Sequence, residues 1–398
     1  MEKSNLKLYI EINNVDLIFI VFEKNSQNNF KIIYDSNVLI KGVEKKSITN
    51  MEEFFNLIKE NIFLIEKKFN HTFKEVILIL ENLNTSFINL TGYKRLNGTQ
   101  ISRENITYIL NSLKSYVSEI EKKKKILHIF NTNFNLDNKK VENLPIGLFG
   151  DFYSHELSFA IIKLNDYKNL EEIFSKCNLK IKKVLLKSFI KGVCINKKND
   201  DINTFFQIKL NNDNSKVFYF ENNALKFEED FEFGLDIILR DVSKITYLKM
   251  DIVKQILEKT NFTKDSKEDE LIEKDFFQDE NYRKIKKKLI YEIISERIKE
   301  ILNLILFKNI NFQHLNKSSK AVFLEFNNEF KNHNIKAIFT EIFKSYDKFN
   351  LEVTNELTRE NIIKTADKIV HFGWKKEAIP ITQIKKSLIG RLFEGIFG

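Results

Sequence analysis

Six apolar side chains near the end of the chain, Leu388, Ile389, Leu392, Phe393, Ile396 and Phe397, recur at i, i+1, i+4, i+5, i+8 and i+9. That spacing puts them on one side of a helix spanning 384–398. Lys385, Lys386 and Arg391 lie off that side, and Glu394 is its one acid. An apolar face with basic flanks suits a helix lying in a lipid interface, where each cation adds ~1 kcal/mol at an anionic leaflet. One such helix binds reversibly, so firm attachment needs several copies held together by self-association. The reading is a membrane-binding segment at 384–398, joined to the body by a linker over 372–383 that contains Gly373 and Pro380.

Other chemistries find less support. Cys177 and Cys194 cannot make a disulfide framework or a metal site on their own. None of His71, His128, His155, His314, His333 and His371 has a partner at metal-ligand spacing, and no nucleophile elbow is present. No catalytic residue and no metal site are therefore expected. The basic runs at 122–125 and 283–288 are not interleaved with aromatics, and a net charge of +9 is modest for 398 residues, so no nucleic acid is expected as a partner. The first residues lack the apolar core of a secretory signal, and the apolar run at 17–22 is far short of the ~18 residues of a spanning helix. A reducing, cytoplasmic setting follows.

The elements that must position these groups read as α/β. Alternation at Leu6, Leu8, Ile10 and Ile12, a dense run at 17–22 and another at 30–34 predict a three-stranded meander. The spacing of Phe54, Phe55, Ile58, Ile62 and Ile65 predicts a helix over 51–69, followed by a buried strand at 76–80. Ser102 caps a helix from 103 to about 121, with strands at 126–130 and 152–162. A helix at 170–177 and a strand at 181–189 resume the opening pattern. Further strands are expected at 204–210, 216–220, 224–227 and 321–326. Helices are expected at 235–247, 251–259, 282–307, 335–343 and 359–370. Residues 263–280 read as a solvated excursion with few apolar anchors. Only 11 Gly and 2 Pro are present, where average usage gives roughly 28 and 20, so any glycine-rich loop must be checked position by position.

Residues 126–130 (ILHIF), 134–137 (FNLD) and 144–150 (LPIGLFG) resemble the end of the inserted subdomain of FtsA, the actin-like bacterial division protein. Residues 175–183 are similar to that family's return to its first domain, 294–304 to its long second-lobe helix, and 384–398 to its terminal amphipathic helix. The resemblance implies an actin-like (RNase H-like) two-lobed α/β fold with the FtsA-type inserted subdomain. The first lobe would take 1–81 and 164–200, the inserted subdomain 82–163 and the second lobe 201–371, with a helical part at about 235–309. It further implies a peripheral membrane protein on the cytoplasmic face at the division site, or septum. Such a protein holds the carboxyl-terminal peptide of FtsZ (the Z ring), self-associates into polymers and recruits later division proteins. Arg297 and Glu300 fall where the family's exposed charged residues near the FtsZ peptide would be.

An actin-like ATPase cradles phosphates between hairpins whose glycines expose backbone N–H groups. The resemblance matches the first such loop to Glu11, Ile12, Asn13, Asn14, Val15 and Asp16, so Asp16 stands where a cation would face phosphate. The second matches Lys209, Leu210, Asn211, Asn212, Asp213 and Asn214, and the adenosine-side Thr-Gly-Gly matches Glu325, Phe326 and Asn327. Asparagine tolerates a left-handed backbone, so the turns can survive while the anion cradle is lost. Two like charges ~4 Å apart repel by about 4 kcal/mol at an effective dielectric of ~20, which sets Asp16 and Asp213 against a triphosphate. The expectation is a degenerate site with no cofactor, and Mg-ATP only if the family site is retained. A working FtsA-like ATPase and a pilus-assembly homologue resembling PilM are the alternatives.

Overall fold

The opening alternation folds as a hairpin of β1 (Asn5–Ile12) and β2 (Asp16–Lys24), extended by β3 (Phe30–Leu39). This is a computed structural model. It describes residues 5–13, 15–24, 30–44, 46–81, 84–199, 201–262, 269–277, 281–312, 321–327, 333–346, 349–374 and 376–378. Asn14 and the membrane-binding residues Lys385, Lys386, Leu388, Ile389, Arg391, Leu392, Phe393, Ile396 and Phe397 lie outside the described residues.

The chain continues through the short pair β4 (Val43–Glu44) and β5 (Ser47–Ile48) to α1 (Met51–Phe69) and β6 (Glu75–Leu80). Asn50 caps α1 by accepting the Glu53 N–H, and Asn70 ends it in the left-handed conformation. An inserted block follows: β7 (Thr85–Arg95), α2 (Arg103–Ile120), β8 (Lys124–Leu136), β9 (Lys139–Val141) and β10 (Phe152–Lys163). Ser102 and Asn105 close a reciprocal capping box on α2. The block forms its own antiparallel sheet, in the order β7-β10-β8-β9, onto which α2 buries Ile109, Leu110 and Val117. Three such side chains supply ~1.5–3 kcal/mol each. Then come α3 (Leu164–Lys176), β11 (Lys180–Leu186) and α4 (Lys187–Lys198). The first five-stranded sheet runs β11-β6-β1-β2-β3, with β1, β6 and β11 parallel.

A second five-stranded sheet repeats the pattern in the order β14-β13-β12-β15-β16. It is built from β12 (Phe205–Leu210), β13 (Ser215–Glu221) and β14 (Ala224–Phe231), then α5 (Asp236–Thr246), α6 (Met250–Lys259) and α7 (Lys287–Leu302), then β15 (Ala321–Phe326), α8 (His333–Lys344) and β16 (Asn350–Thr354). A last helix, α9, spans Arg359–Phe372. The chain divides into two units, one of residues 1–191, 222–226 and 360–398 and one of residues 192–221 and 227–359.

Several details differ from the sequence reading. The strand expected at 181–189 ends at Leu186, where α4, a helix that had not been expected, takes over. Helix α9 groups with the first unit, because Asp367 on it accepts from Lys7 and Tyr9 of β1, so the second unit ends at 359 and not at 371. The segment expected to be solvated is anchored where it is described: Ile272 and Phe277 are buried, and the Ile272 N–H donates to Ile285 O. The long helix is cut at Leu302, where a π-helical turn, Asn303–Phe307, takes over. Strands β7 and β16 had not been expected. The edge position and mixed burial of each leave little apolar alternation to read.

Candidate functional site

Ligands of α/β sheets gather at the carboxyl ends of parallel strands. In the first unit Ile12, Leu80 and Leu186 are in register across β1, β6 and β11, so the residues at these three strand ends meet. They are Glu11, Glu81 and Lys187. The Lys187 ammonium donates to Glu11 Oε1 and Glu81 Oε2, both at 2.5 Å, with Glu11 almost wholly buried. Burial alone would lower the lysine, but the carboxylates of Glu81 and Glu11 outweigh it and hold Lys187 well above its usual range. A divalent cation at these acids would have to displace an ammonium already tethered to the chain.

The turn after β1 is closed in the same manner. Asn13 Oδ1 accepts the N–H groups of Val15 at 2.8 Å and Asp16 at 2.7 Å, while its own N–H donates to Asp16 O at 3.1 Å. Amides that a phosphate would need are thus spent on a neighbouring side-chain oxygen, the Asx-turn chemistry of asparagine. No described residue of this turn has a positive φ.

In the second unit, β12 and β15 are parallel with Leu210 opposite Phe326, and Asn327 N–H donates to Leu210 O. That brings Lys209, Asn211, Asn212, Asp213, Phe326 and Asn327 to one end of the sheet. The 211–214 turn is bonded internally, Asn211 Nδ2 to Asn214 Oδ1 at 2.6 Å and Asn214 Nδ2 to Asp213 Oδ1 at 2.7 Å. Its carbonyls accept the first amides of α5, Leu235 N–H to Asn211 O and Asp236 N–H to Asn212 O. Gly234 allows this approach, since a Cβ there would lie 2.3 Å from Asn211 O. Asn212 Oδ1 is buried and meets no donor among the described residues. In the first unit two turn amides and two acids are thus engaged by the chain's own side chains, and in the second two turn carbonyls accept the first amides of α5.

Arg297 and Glu300, on α7, are bonded to each other at 2.6 Å, and Arg297 also grips Asp241 of α5. The pair is partly exposed but tied into its own unit. A polar cavity of about 370 Å³ lies nearby in sequence, with Lys259, Glu273, Asp275 and Lys287 among its lining residues.

The root of the tail was not foreseen as an element. Residues 376–378 lie along the edge of β8 through a single antiparallel bridge: Glu377 pairs with Phe130, Asn131 N–H donates to Lys376 O, and Ala378 N–H donates to Ile129 O, both at 2.7 Å. Glu377 is buried between His128 Nδ1 and Lys183 Nζ, each at 2.8 Å. Burial would raise its carboxyl, but His128 and Lys183 prevail and hold it at about 2. Leu186 N–H approaches His128 Nε2 at 3.4 Å, which leaves Nδ1 as the ring nitrogen that faces Glu377. Among the described residues no group of three His, Cys, Asp or Glu side chains could hold a metal. Glu81, Lys187 and Glu377 escaped notice in the sequence. For the first two the available signal was an ionisable residue directly after an apolar run, 76–80 for Glu81 and 184–186 for Lys187.

No protein-family model matches the chain. It is 21% identical over 234 residues to the cell division protein FtsA of Buchnera aphidicola subsp. Acyrthosiphon pisum, covering 59% of this chain and 56% of that protein. It is 24% identical over 184 residues to FtsA of Buchnera aphidicola subsp. Schizaphis graminum, covering 46% of this chain and 44% of that one. The chain thus spans about half the length of the curated relatives it matches. Among solved structures it resembles the PilM-PilN type IV pilus biogenesis complex, with a TM-score of 0.50 at 10% identity, over 93% of this chain and 97% of that one. The fold is the actin-like α/β fold, and in sequence the chain is similar, at low identity and over about half their length, to the cell division protein FtsA.

Proposed function

We propose that this chain is a cell-division scaffold that tethers FtsZ filaments to the cytoplasmic face of the membrane, self-associates there, and works without bound nucleotide. The likeness to FtsA carries the division role, and the amphipathic pattern at 384–398 supports attachment to lipid. No described helix is long and apolar enough to cross a membrane, which is compatible with peripheral attachment. FtsZ's terminal peptide would dock on the second unit near Arg297 and Glu300, and later division proteins would join the assembly.

The observation that supports loss of nucleotide is the internal closure of the first turn, with Asn13 Oδ1 holding two amides and Lys187 holding two acids. Mg-ATP titration calorimetry on the full chain tests it, and micromolar binding would restore the reading as a working actin-like ATPase. Co-sedimentation with liposomes, with and without FtsZ, tests the tether. Loss of lipid binding only in a chain ending at Gln383 is expected, and equal sedimentation of both would remove the anchor. The fold likeness to PilM favours a second reading, pilus assembly. A pull-down with the FtsZ tail against a pilus inner-membrane peptide separates the two.

A further inference from the structure

The direction in which the chain leaves the first unit points to a second lipid-facing surface. Residues 376–378 run antiparallel to β8, so this described stretch runs in the direction of the start of β8 and the turn that joins it to α2. That turn carries Lys122 and Lys123, and β8 opens with Lys124 and Lys125. Lys124 turns toward Ser86 Oγ at 3.3 Å, whereas Lys122, Lys123 and Lys125 are exposed and make no ion pair among the described residues. The Lys125 ammonium lies 4.9 Å from the Tyr167 ring centroid. Lys163, paired with Lys124 across the ladder, is exposed beside Asp166. Glu119 and Glu121 precede the run, and the corner as a whole stays net positive. Tyr116 and Ile120, both about half exposed on the last turns of α2, give it an apolar rim.

Length ties this corner to the tail. Ile129 to Lys125 is four strand residues, about 13 Å. Ala378 to Ile384 is six residue steps, at most about 20 Å. The six residue steps are therefore long enough to reach this corner with at most about 7 Å to spare, within the ~8 Å Debye length at physiological salt. A helix seated in lipid at 384–398 would bring these lysines to the headgroups.

We propose that Lys122, Lys123 and Lys125 form a second contact to an anionic lipid surface, aligned with the tail by its strand-like root. This rests on the reading of 384–398 as a lipid-binding helix. The apolar rim and the tether favour lipid over nucleic acid, which would need no tail.

The test is co-sedimentation of the full chain and of K122Q/K123Q/K125Q with vesicles of phosphatidylcholine alone or mixed with phosphatidylglycerol, at low and high salt. Each lysine is worth about fivefold in partition, so the variant should lose about a hundredfold on anionic vesicles at low salt. On neutral vesicles it should match the full chain, and K122R/K123R/K125R should restore anionic binding. Unchanged thermal melting of the variants would show that they are folded. Equal binding of the glutamine variant and the full chain to anionic vesicles would overturn the corner while leaving the tail intact. If the full chain binds no vesicles at all, the tail reading fails and this proposal with it. Loss of duplex DNA binding in the glutamine variant, with vesicle binding unchanged, would assign the lysines to nucleic acid and overturn the lipid contact.

Discussion

Replacing Lys187 with methionine keeps the bulk of its aliphatic stem and removes the charge that holds Glu11 and Glu81 together. The side chains are 11%, 2% and 16% exposed for Lys187, Glu11 and Glu81, so two desolvated carboxylates would be left facing each other. Removing one partner of a buried pair costs about 3–5 kcal/mol, and the partial exposure of Glu81 sets the lower end, about 3. At about 2–4 °C per kcal/mol for a body of this size, K187M should melt about 6–12 °C below the parent chain. The triple variant E11Q/K187M/E81Q, which removes every charge, should recover most of that loss. The pH dependence has a definite sign. In K187M the native state takes up a proton that the unfolded chain does not, so its stability rises as pH falls from 7 to 5 and the gap to the parent narrows. In the parent, the raised Lys187 ammonium contributes fully at neutral pH, and its contribution fades only on the alkaline side of the usual lysine range. Scanning calorimetry across that pH range decides the matter. A K187M transition within about 2 °C of the parent, or a gap that ignores pH, would refute the claim that the triad is a desolvated ion cluster.

N13A should cost about 0.5–1.5 kcal/mol, because two amides pass from a protein acceptor to water; urea unfolding checks this, and no shift in midpoint would mean water already satisfies them. G234A should cost about 1–3 kcal/mol and act on the second unit, since its Cβ would lie 2.3 Å from Asn211 O and 2.5 Å from Asn212 O. Limited proteolysis of α5 reads that loss, and an unchanged cleavage rate would argue against a close approach of turn and helix. E377Q should cost about 1.5–3 kcal/mol and speed hydrogen exchange at Asn131 and Ala378. Because the Glu377 carboxyl is held down to about 2, its contribution is present above the ordinary carboxylate range and disappears as pH falls toward 2. His155, which burial and then Lys376 lower to about 4, should not titrate by NMR above pH 5.

Much of the framework was legible because apolar spacing is a local signal. The face of Phe54, Ile58, Ile62 and Ile65, the cap at Ser102 and the run at 76–80 each fix an element without help from the rest of the chain. Asparagine takes left-handed positions in the turns at Asn70, Asn97, Asn138, Asn178, Asn222 and Asn223, none of them in the loops for which its tolerance had been invoked. At 211–214 no φ is positive, and the side chains bond one another. The ion cluster was illegible because Glu11, Glu81 and Lys187 are brought together by strand register and not by sequence distance. The tail root was missed for a similar reason, since three residues offer no periodicity and Glu377 is explained only by His128 and Lys183 on other strands.

The way residues 376–378 lie along β8 also decides how the first unit would bear tension. A pull applied beyond Ala378 along the strand axis works in shear: both backbone bonds to Ile129 and Asn131 and the two contacts of the Glu377 carboxylate share the load at once. The same pull applied across the sheet would unzip them singly, Ala378 first. Were the tail seated in lipid as proposed, a load on the first unit would thus find the joint stiff in one direction and yielding in the other, a mechanical anisotropy set by three residues.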